Sequence, residues 1–200
     1  MTLTGTVPTI RQGLPPALRP DAARLYWQAF GGKLGQVLGP DDLALRFLTR
    51  VIREDHCCVA LSPSGDLLGL AGFKSIHGSF AGGEMADMRA VYGWWGSQWR
   101  AAALWWLSHE TDNDRFLIDG ICVARQARGA GVGTALVAAL CAEAQARGYA
   151  SIRLDVVDTN WRARALYDRL GFVATRTERL GLFRHMFGFS AAITMVKMLA

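Results

Sequence analysis

Two stretches of this 200-residue chain carry residue types at spacings that can do chemistry. Arg128-Gly129-Ala130-Gly131-Val132-Gly133-Thr134 follows the apolar run Phe116 to Val123 and precedes a segment that sets Leu136, Val137, Leu140, Cys141 and Ala144 on one helical stripe. Strand, glycine turn and helix start form an anion-binding design. The first helical N–H groups lack carbonyl partners, the helix dipole is positive there, and glycines let a pyrophosphate approach the backbone. The same residues would also serve as a plain tight turn. The second stretch, Asn160 to Phe172, reads as a short helix opened by Asn160 and stopped by Gly171, with Ala163, Leu166, Tyr167 and Leu170 on one face. Taken alone, that pattern gives Tyr167 a core role. Asp119 interrupts the apolar Phe116–Val123 run, where burial would raise a carboxyl toward the working range of a base. A structural, hydrogen-bonding acid would fit the position equally well.

Spacing separates the phosphate-loop types. No Gly-Lys-Ser/Thr occurs, which excludes a Walker loop. The dinucleotide pattern G-x-G-x-x-G fails as well, because the sixth position counted from Gly129 is Thr134 and counted from Gly131 is Leu136. What fits is Arg/Gln-x-x-Gly-x-Gly/Ala, met by Arg128, Gly131 and Gly133. This resembles the acyl-CoA pyrophosphate loop of the GNAT-type N-acetyltransferase superfamily. Asn160 to Phe172 is in turn similar to that family's N-x-x-A-x-x-x-Y-x-x-x-G-F helix. The resemblance is close from Phe116 to Phe172 and weaker in the closing Ala191–Leu199 strand and in the amino-terminal strand, helices and hairpin.

The resemblance implies an α/β (α+β) domain, with a mixed, mostly antiparallel central sheet flanked by helices and splayed between its fourth and fifth strands. It implies acetyl transfer from acetyl-CoA to a primary amine by direct attack in a ternary complex. Ile121, Cys122 and Val123 would bond the pantetheine amides as an added strand does. The N–H groups of Gly129, Ala130, Gly131, Val132, Gly133 and Thr134 would hold the pyrophosphate, with Arg125 or Arg128 meeting a phosphate. Asn160 would touch the cofactor or orient its helix. Tyr167 would lie near the thioester sulfur and protonate the leaving thiolate, and a backbone N–H near Val123 would stabilise the oxyanion. Asp119 is the best candidate for the base that deprotonates the amine; Glu84, Asp87 and His109 are weaker, and His185 reads as a loop residue. A non-catalytic acyl-CoA sensor of the same fold is the alternative.

Around these residues the pattern predicts a strand at Thr6–Gly13, then prolines at 15, 16 and 20 that exclude a helix before about Asp21. The Asp21–Leu38 segment has helical spacing, but Gly31, Gly32 and Gly35 predict a kinked or broken helix. A firmer amphipathic helix starts at Pro40–Asp41, with Leu43, Phe47, Leu48 and Val51 on one stripe up to Arg53. Cys57–Leu61 and Leu67–Ser75 read as a hairpin across Ser62–Asp66. Five of the seven tryptophans lie between Trp94 and Trp106. Trp95, Trp99, Trp106 and Ala102 or Ala103 can share a helix face, which predicts a bulky core seam; a substrate wall or dimer interface are the other uses. Asp112-Asn113-Asp114 reads as a polar turn, and a strand follows at Ser151–Val157.

Composition sets the outer bounds. With 51% hydrophobic residues, 20% charged and 6 prolines, residues 1–200 are expected to form one acyltransferase domain carrying a Trp-rich insert at about 84–111. No apolar run reaches membrane-span length. The first twenty residues lack a secretory pattern, so the cytoplasm is the expected location. The formal charge of +5 comes mostly from scattered arginines, which argues for a mixed-charge surface and against a nucleic-acid partner. Cys57, Cys58, Cys122 and Cys141 form no CxxC pair, so no metal is expected and the thiols read as reduced and structural. The expected acceptor is a small-molecule or peptide amine, with a homodimer as an open option.

Overall fold

The computed structural model describes residues 8–107, 116–179 and 189–199. Within them, β1 (Thr9–Gln12), α1 (Arg19–Leu38) and α2 (Asp41–Val51) precede the hairpin β2 (Cys57–Leu61) and β3 (Leu67–Ser75). A two-residue strand, β4 (Gly78–Ser79), leads to α3 (Met85–Leu107). Then come β5 (Phe116–Val123), α4 (Val132–Ala146), β6 (Ser151–Val157), α5 (Trp161–Arg169), β7 (Val173–Arg179) and β8 (Ala191–Met198). The strands form one sheet in the order β1-β2-β3-β5-β6-β8-β7, with β4 paired to β3. Every pairing is antiparallel except β5 with β6. This is the expected mixed, mostly antiparallel sheet flanked by helices. No helix among the described residues is long and apolar enough to cross a membrane.

Helices cover both faces of the sheet. On one, Leu136, Val137, Leu140 and Ala144 of α4 bury Ala71, Phe73, Phe116, Ile118, Ile152 and Leu154. On the other, Ala22, Ala23 and Tyr26 of α1 and Leu48 of α2 bury Cys57, Val59, Leu70, Phe80 and Cys122. The neighbours Cys57 and Cys58 belong to opposite clusters, as side-chain alternation along a strand requires, and all four cysteines are free.

The chain departs from expectation in α1, which is continuous and begins at Arg19 rather than Asp21. Pro20 sits in the first turn, where the missing N–H costs nothing. Packing of the Ala22–Tyr26 face outweighs the weak propensity of the glycines. Gly31 leaves room for the Trp27 ring, 3.0 Å from where a Cβ would be. Arg19 fastens the end of α2, donating to Ile52 O at 2.7 Å and Thr49 O at 3.2 Å. At the far end of α1, Tyr92 donates to Leu38 O at 2.7 Å and Arg100 to Gly39 O at 3.1 Å. Cations and hydroxyl donors at those carbonyls satisfy groups the helix itself cannot.

The predicted tryptophan seam is corrected. Trp94, Trp95 and Trp99 are 58%, 85% and 49% exposed, and Met88 and Ser97 take the buried positions. The reason is Gly93, whose φ of 71° and ψ of 179° interrupt α3 and reset its helical phase. Beyond that break Leu104 packs against the α1 and α2 cluster, and Trp94, Trp95 and Trp99 turn outward. Trp94 stacks under Arg89, and Trp99 under Arg100, each at 4.3 Å. The side chains of Trp105 and Trp106, the Asp112–Asp114 turn, His109 and His185 lie outside the described residues. In urea denaturation, Trp95→Ala is expected to change stability by no more than about 0.5 kcal/mol, whereas Phe80→Ala, which empties a fully buried site, costs about 3–5 kcal/mol.

Candidate functional site

The site begins with one irregularity in β5. Its pairing with β3 runs Gly69↔Val123 to Gly72↔Gly120, then shifts to Phe73↔Ile118 and Lys74↔Leu117, so Asp119 is an extra residue. Such a bulge puts two consecutive side-chain positions on one face and strengthens the local twist. Phe116 and Ile118 therefore face α4, while Cys122 joins the α1 cluster and Ile121 and Val123 pack back against the α4 cluster. Gly120 faces α1 too, where a Cβ would stand 2.7 Å from the Phe30 ring. On the other edge of β5, pairing with β6 is confined, among the described residues, to Phe116↔Ile152 and Leu117↔Arg153. The two strands diverge after Leu117, just ahead of the bulge, and this is the predicted splay; counting β4 as a strand makes the pair β5 and β6.

Above the opening lies the glycine loop. After Val123 a 3-10 turn, Arg125–Ala127, carries the chain to Arg128, whose Nε donates back to Val123 O at 3.2 Å and closes the loop onto the strand end. Gly129 and Gly131 have φ values of 82° and 77°, a left-handed conformation that costs other residues, and a Cβ on either would meet nothing within 4 Å. Gly131 is the N-cap of α4 and provides no side-chain cap for the helix's first N–H groups. Arg125, Arg128, Gly129, Ala130, Gly131 and Thr134 are exposed, whereas Val132 is buried and anchors the loop. Gly133 lets α5 come close, with Leu166 Cδ2 3.3 Å from its Cβ position. The far end of α4 is closed by Gly148 N–H to Gln145 O at 2.9 Å and Tyr149 N–H to Ala144 O at 3.0 Å.

Asn160 caps α5, its side chain accepting from Ala163 N–H at 3.3 Å. The helix ends at Gly171 with Phe172 N–H bonded to Tyr167 O at 3.0 Å. Tyr167 is half-buried against the α4 cluster, its ring 5.8 Å from that of Phe172. Burial pushes its hydroxyl up to about 12, and the neighbouring Cys122 adds to the shift. At neutral pH this phenol keeps its proton and can give it away. The structure thus brings α5 against the start of α4, with Tyr167 within electrostatic reach of Cys122 on the splayed strand.

Asp119 lies half-buried on the α1 side. Ser79 Oγ donates to its Oδ2 at 3.2 Å, and the Ala81 N–H also bonds it. Burial raises its carboxyl above the ordinary range, and those two bonds and the Lys74 charge oppose the rise. Tyr26 and Cys122 stand close enough for the Asp119 charge to push both of them up, although burial is the larger cause for each. Of the weaker acids, Asp87 is engaged elsewhere: Arg50 bonds it at 2.6 Å and holds it below the usual carboxylate range, and it accepts from Glu84 N–H. Ser79 and Tyr26 escaped the sequence reading because no local pattern links them to Asp119, 40 and 93 positions away. A Gly-Ser pair too short to read as a strand is the only trace of β4.

Residues 20–172 match the acetyltransferase (GNAT) family. Among curated proteins no sequence matches. Solved structures of the same fold include a histone acetyltransferase HPA2 and related acetyltransferase from Corynebacterium glutamicum, 20% identical, covering 96% of this chain and 97% of that one with a TM-score of 0.66. An N-acetyltransferase from Staphylococcus aureus is 17% identical over 94% of this chain and 99% of its own, with a TM-score of 0.64. A Bacillus anthracis protein described as a streptothricin acetyltransferase, in complex with acetyl coenzyme A, is 18% identical over 76% of this chain and 67% of its own, with a TM-score of 0.51. At these identities the likeness is one of fold.

The burial of Asp119 has a consequence measurable on the protein alone. Its folded-state pKa lies above the ordinary 3.8, so between those two values the folded state binds a proton that the unfolded chain has released. Wild-type stability is therefore expected to fall, relative to Asp119→Asn, as pH rises from about 4 through the folded midpoint, and to run parallel to it above. Urea midpoints of both proteins across pH 4–9 check this.

Proposed function

The chain belongs to the acetyltransferase (GNAT) family, matched over residues 20–172, and from that premise we propose that it passes the acetyl group of acetyl-CoA directly to a primary amine while both are bound. The observation that carries this reading is the strand edge of β5 left free of β6 beyond Leu117, with the uncapped start of α4 above it and Tyr167 beside it. The family uses acetyl-CoA, and the loop fits its pyrophosphate. Gly129 and Gly131 offer open space where any side chain would intrude, and the N–H groups through Thr134 begin a helix with no side-chain cap.

Ile121, Cys122 and Val123 would hold the pantetheine arm by strand-like bonds, and the N–H groups of residues 129–134 the pyrophosphate. Arg125 is exposed beside the loop and available to a phosphate; Arg128, with Nε turned to Val123 O, keeps the rest of its guanidinium for the same purpose. Asn160 serves by fixing the direction of α5, and so of Tyr167. When bound, acetyl-CoA supplies an acetyl group on a thioester sulfur. Asp119 takes one proton from the incoming ammonium and leaves a neutral amine with a free lone pair. The backbone N–H near Val123 offers a donor where negative charge develops on the acyl oxygen. Tyr167 gives its hydroxyl proton to the departing sulfur and recovers one from solvent, and the second amine proton goes to water. The acceptor is a small-molecule or peptide amine.

Calorimetric titration with acetyl-CoA and with free CoA tests the cofactor site. Wild type is expected to bind both and Gly131→Asp neither; Gly131→Asn, which tolerates the left-handed backbone without the charge, should lose less. A folded wild type that binds neither nucleotide overturns the reading. In thiol-release assays over spermidine, tryptamine and an alanine-initiated peptide, Tyr167→Phe is expected to lower kcat by about 10²-fold with CoA affinity little changed. An unchanged rate removes Tyr167 as the acid.

A further inference from the structure

Resting on the reading of Asp119 as the base, we infer that Ser79 is a positioning residue of the acetyl-transfer site: its hydroxyl keeps the Asp119 carboxylate ionised and oriented to receive the ammonium proton.

The geometry begins with how firmly Ser79 is itself held. It pairs with Lys74 across β3 and β4, and its neighbour Phe80 donates N–H to Phe73 O at 3.1 Å. The Phe80 side chain is fully buried over Gly72, where a Cβ would stand 2.7 Å from it. On the other side, Ser79 O accepts from Gly82 N–H at 3.3 Å. A two-residue strand would be marginal alone, but these anchors fix the Ser79 hydroxyl to the sheet. The bulge in β5 sets Asp119 opposite it, at 3.2 Å.

The need for such a donor follows from the surroundings. Facing Asp119 from α1 is Tyr26, its ring packed at a tilt against Phe30 and Phe80 with centroids 4.6 and 5.7 Å away. From β5 comes the buried Cys122 thiol, and from β3 the Lys74 cation. Apart from Lys74 this shell is mostly apolar, so a carboxylate there is poorly solvated. A base must nevertheless be charged when the amine arrives. Two donors aimed at the carboxylate, Ser79 Oγ and the Ala81 N–H, favour the charged form, and the side-chain donor is the one a mutation can remove.

The test uses the full chain with 13C-labelled aspartate carboxyls, the Asp119 resonance being assigned by its loss in Asp119→Asn. In Ser79→Ala the Asp119 titration is expected to move to higher pH, and Ser79→Thr, which keeps the hydroxyl, to move it back. In parallel, kcat/KM with the fastest of spermidine, tryptamine and the alanine-initiated peptide should fall about tenfold at pH 6.5 in Ser79→Ala and recover to within about twofold at pH 9. A purely structural loss would lower the rate at every pH alike. An Asp119 titration unmoved by Ser79→Ala, with the variant folded by circular dichroism, overturns the inference. Failure of the base reading shows separately, as undiminished turnover by Asp119→Asn while the Ser79→Ala titration still moves.

Discussion

One extra residue in β5 organises the site. Inserting Asp119 into the β3–β5 ladder sends Cys122 to the α1 side and Ile121 and Val123 to the α4 side, and adds twist just past the last β5–β6 pair. A regular strand would keep Gly120 and Cys122 on the face of Phe116 and Ile118. The bulge instead lets Tyr26 and Phe30 press against bare backbone at Gly120. Sheet opening, carboxylate placement and the aromatic wall beside it thus share one cause. The rest of the fold holds that strand in place, with six residue pairs to β3 on one side and α1 and α4 across the two faces.

The elements from Phe116 to Phe172 were legible because their signals are local. A strand, a glycine turn and a helix start within twenty residues, and the Asn160–Phe172 helix shows its cap, its stripe and its glycine stop in consecutive positions. The structure reproduces each, down to the Ala163 N–H on Asn160 and the positive φ of 84° at Gly171. The hairpin at Cys57–Ser75 was legible for the same reason. Where decisive contacts are distant in sequence, the pattern misled or fell silent. The glycines of α1 promised a break that burial of Ala22, Ala23 and Tyr26 prevents. The tryptophan stripe promised a seam, but the break at Gly93 leaves Trp94, Trp95 and Trp99 facing solvent.

A bulge leaves no mark in composition, and that explains why Ser79 and Tyr26 stayed hidden beside an acid that was itself conspicuous. Asp119 stood out because a charge within an apolar strand is rare. Its partners are ordinary residues whose roles exist only after the sheet has brought β4, β5 and α1 together. The arginines divide in the same way. Arg19 and Arg100 cap distant helix ends, and Arg128 Nε closes its own loop, so these three bond carbonyl oxygens of the chain itself.

The parallel step from β5 through α4 to β6 joins residues 36 positions apart, whereas β1 pairs with residues 46–52 positions away and β3 reaches β5 across 43–54. In kinetic terms the two halves of the site are unequal. Strand, glycine turn, helix and returning strand can assemble with little loop-closure cost, so this unit suits an early nucleus. The corner where Tyr26, Ser79 and Asp119 meet needs three remote segments and the completed register of β3 on β5. Partial opening of the amino-terminal half would therefore dissolve the Asp119 corner first and leave the glycine loop formed.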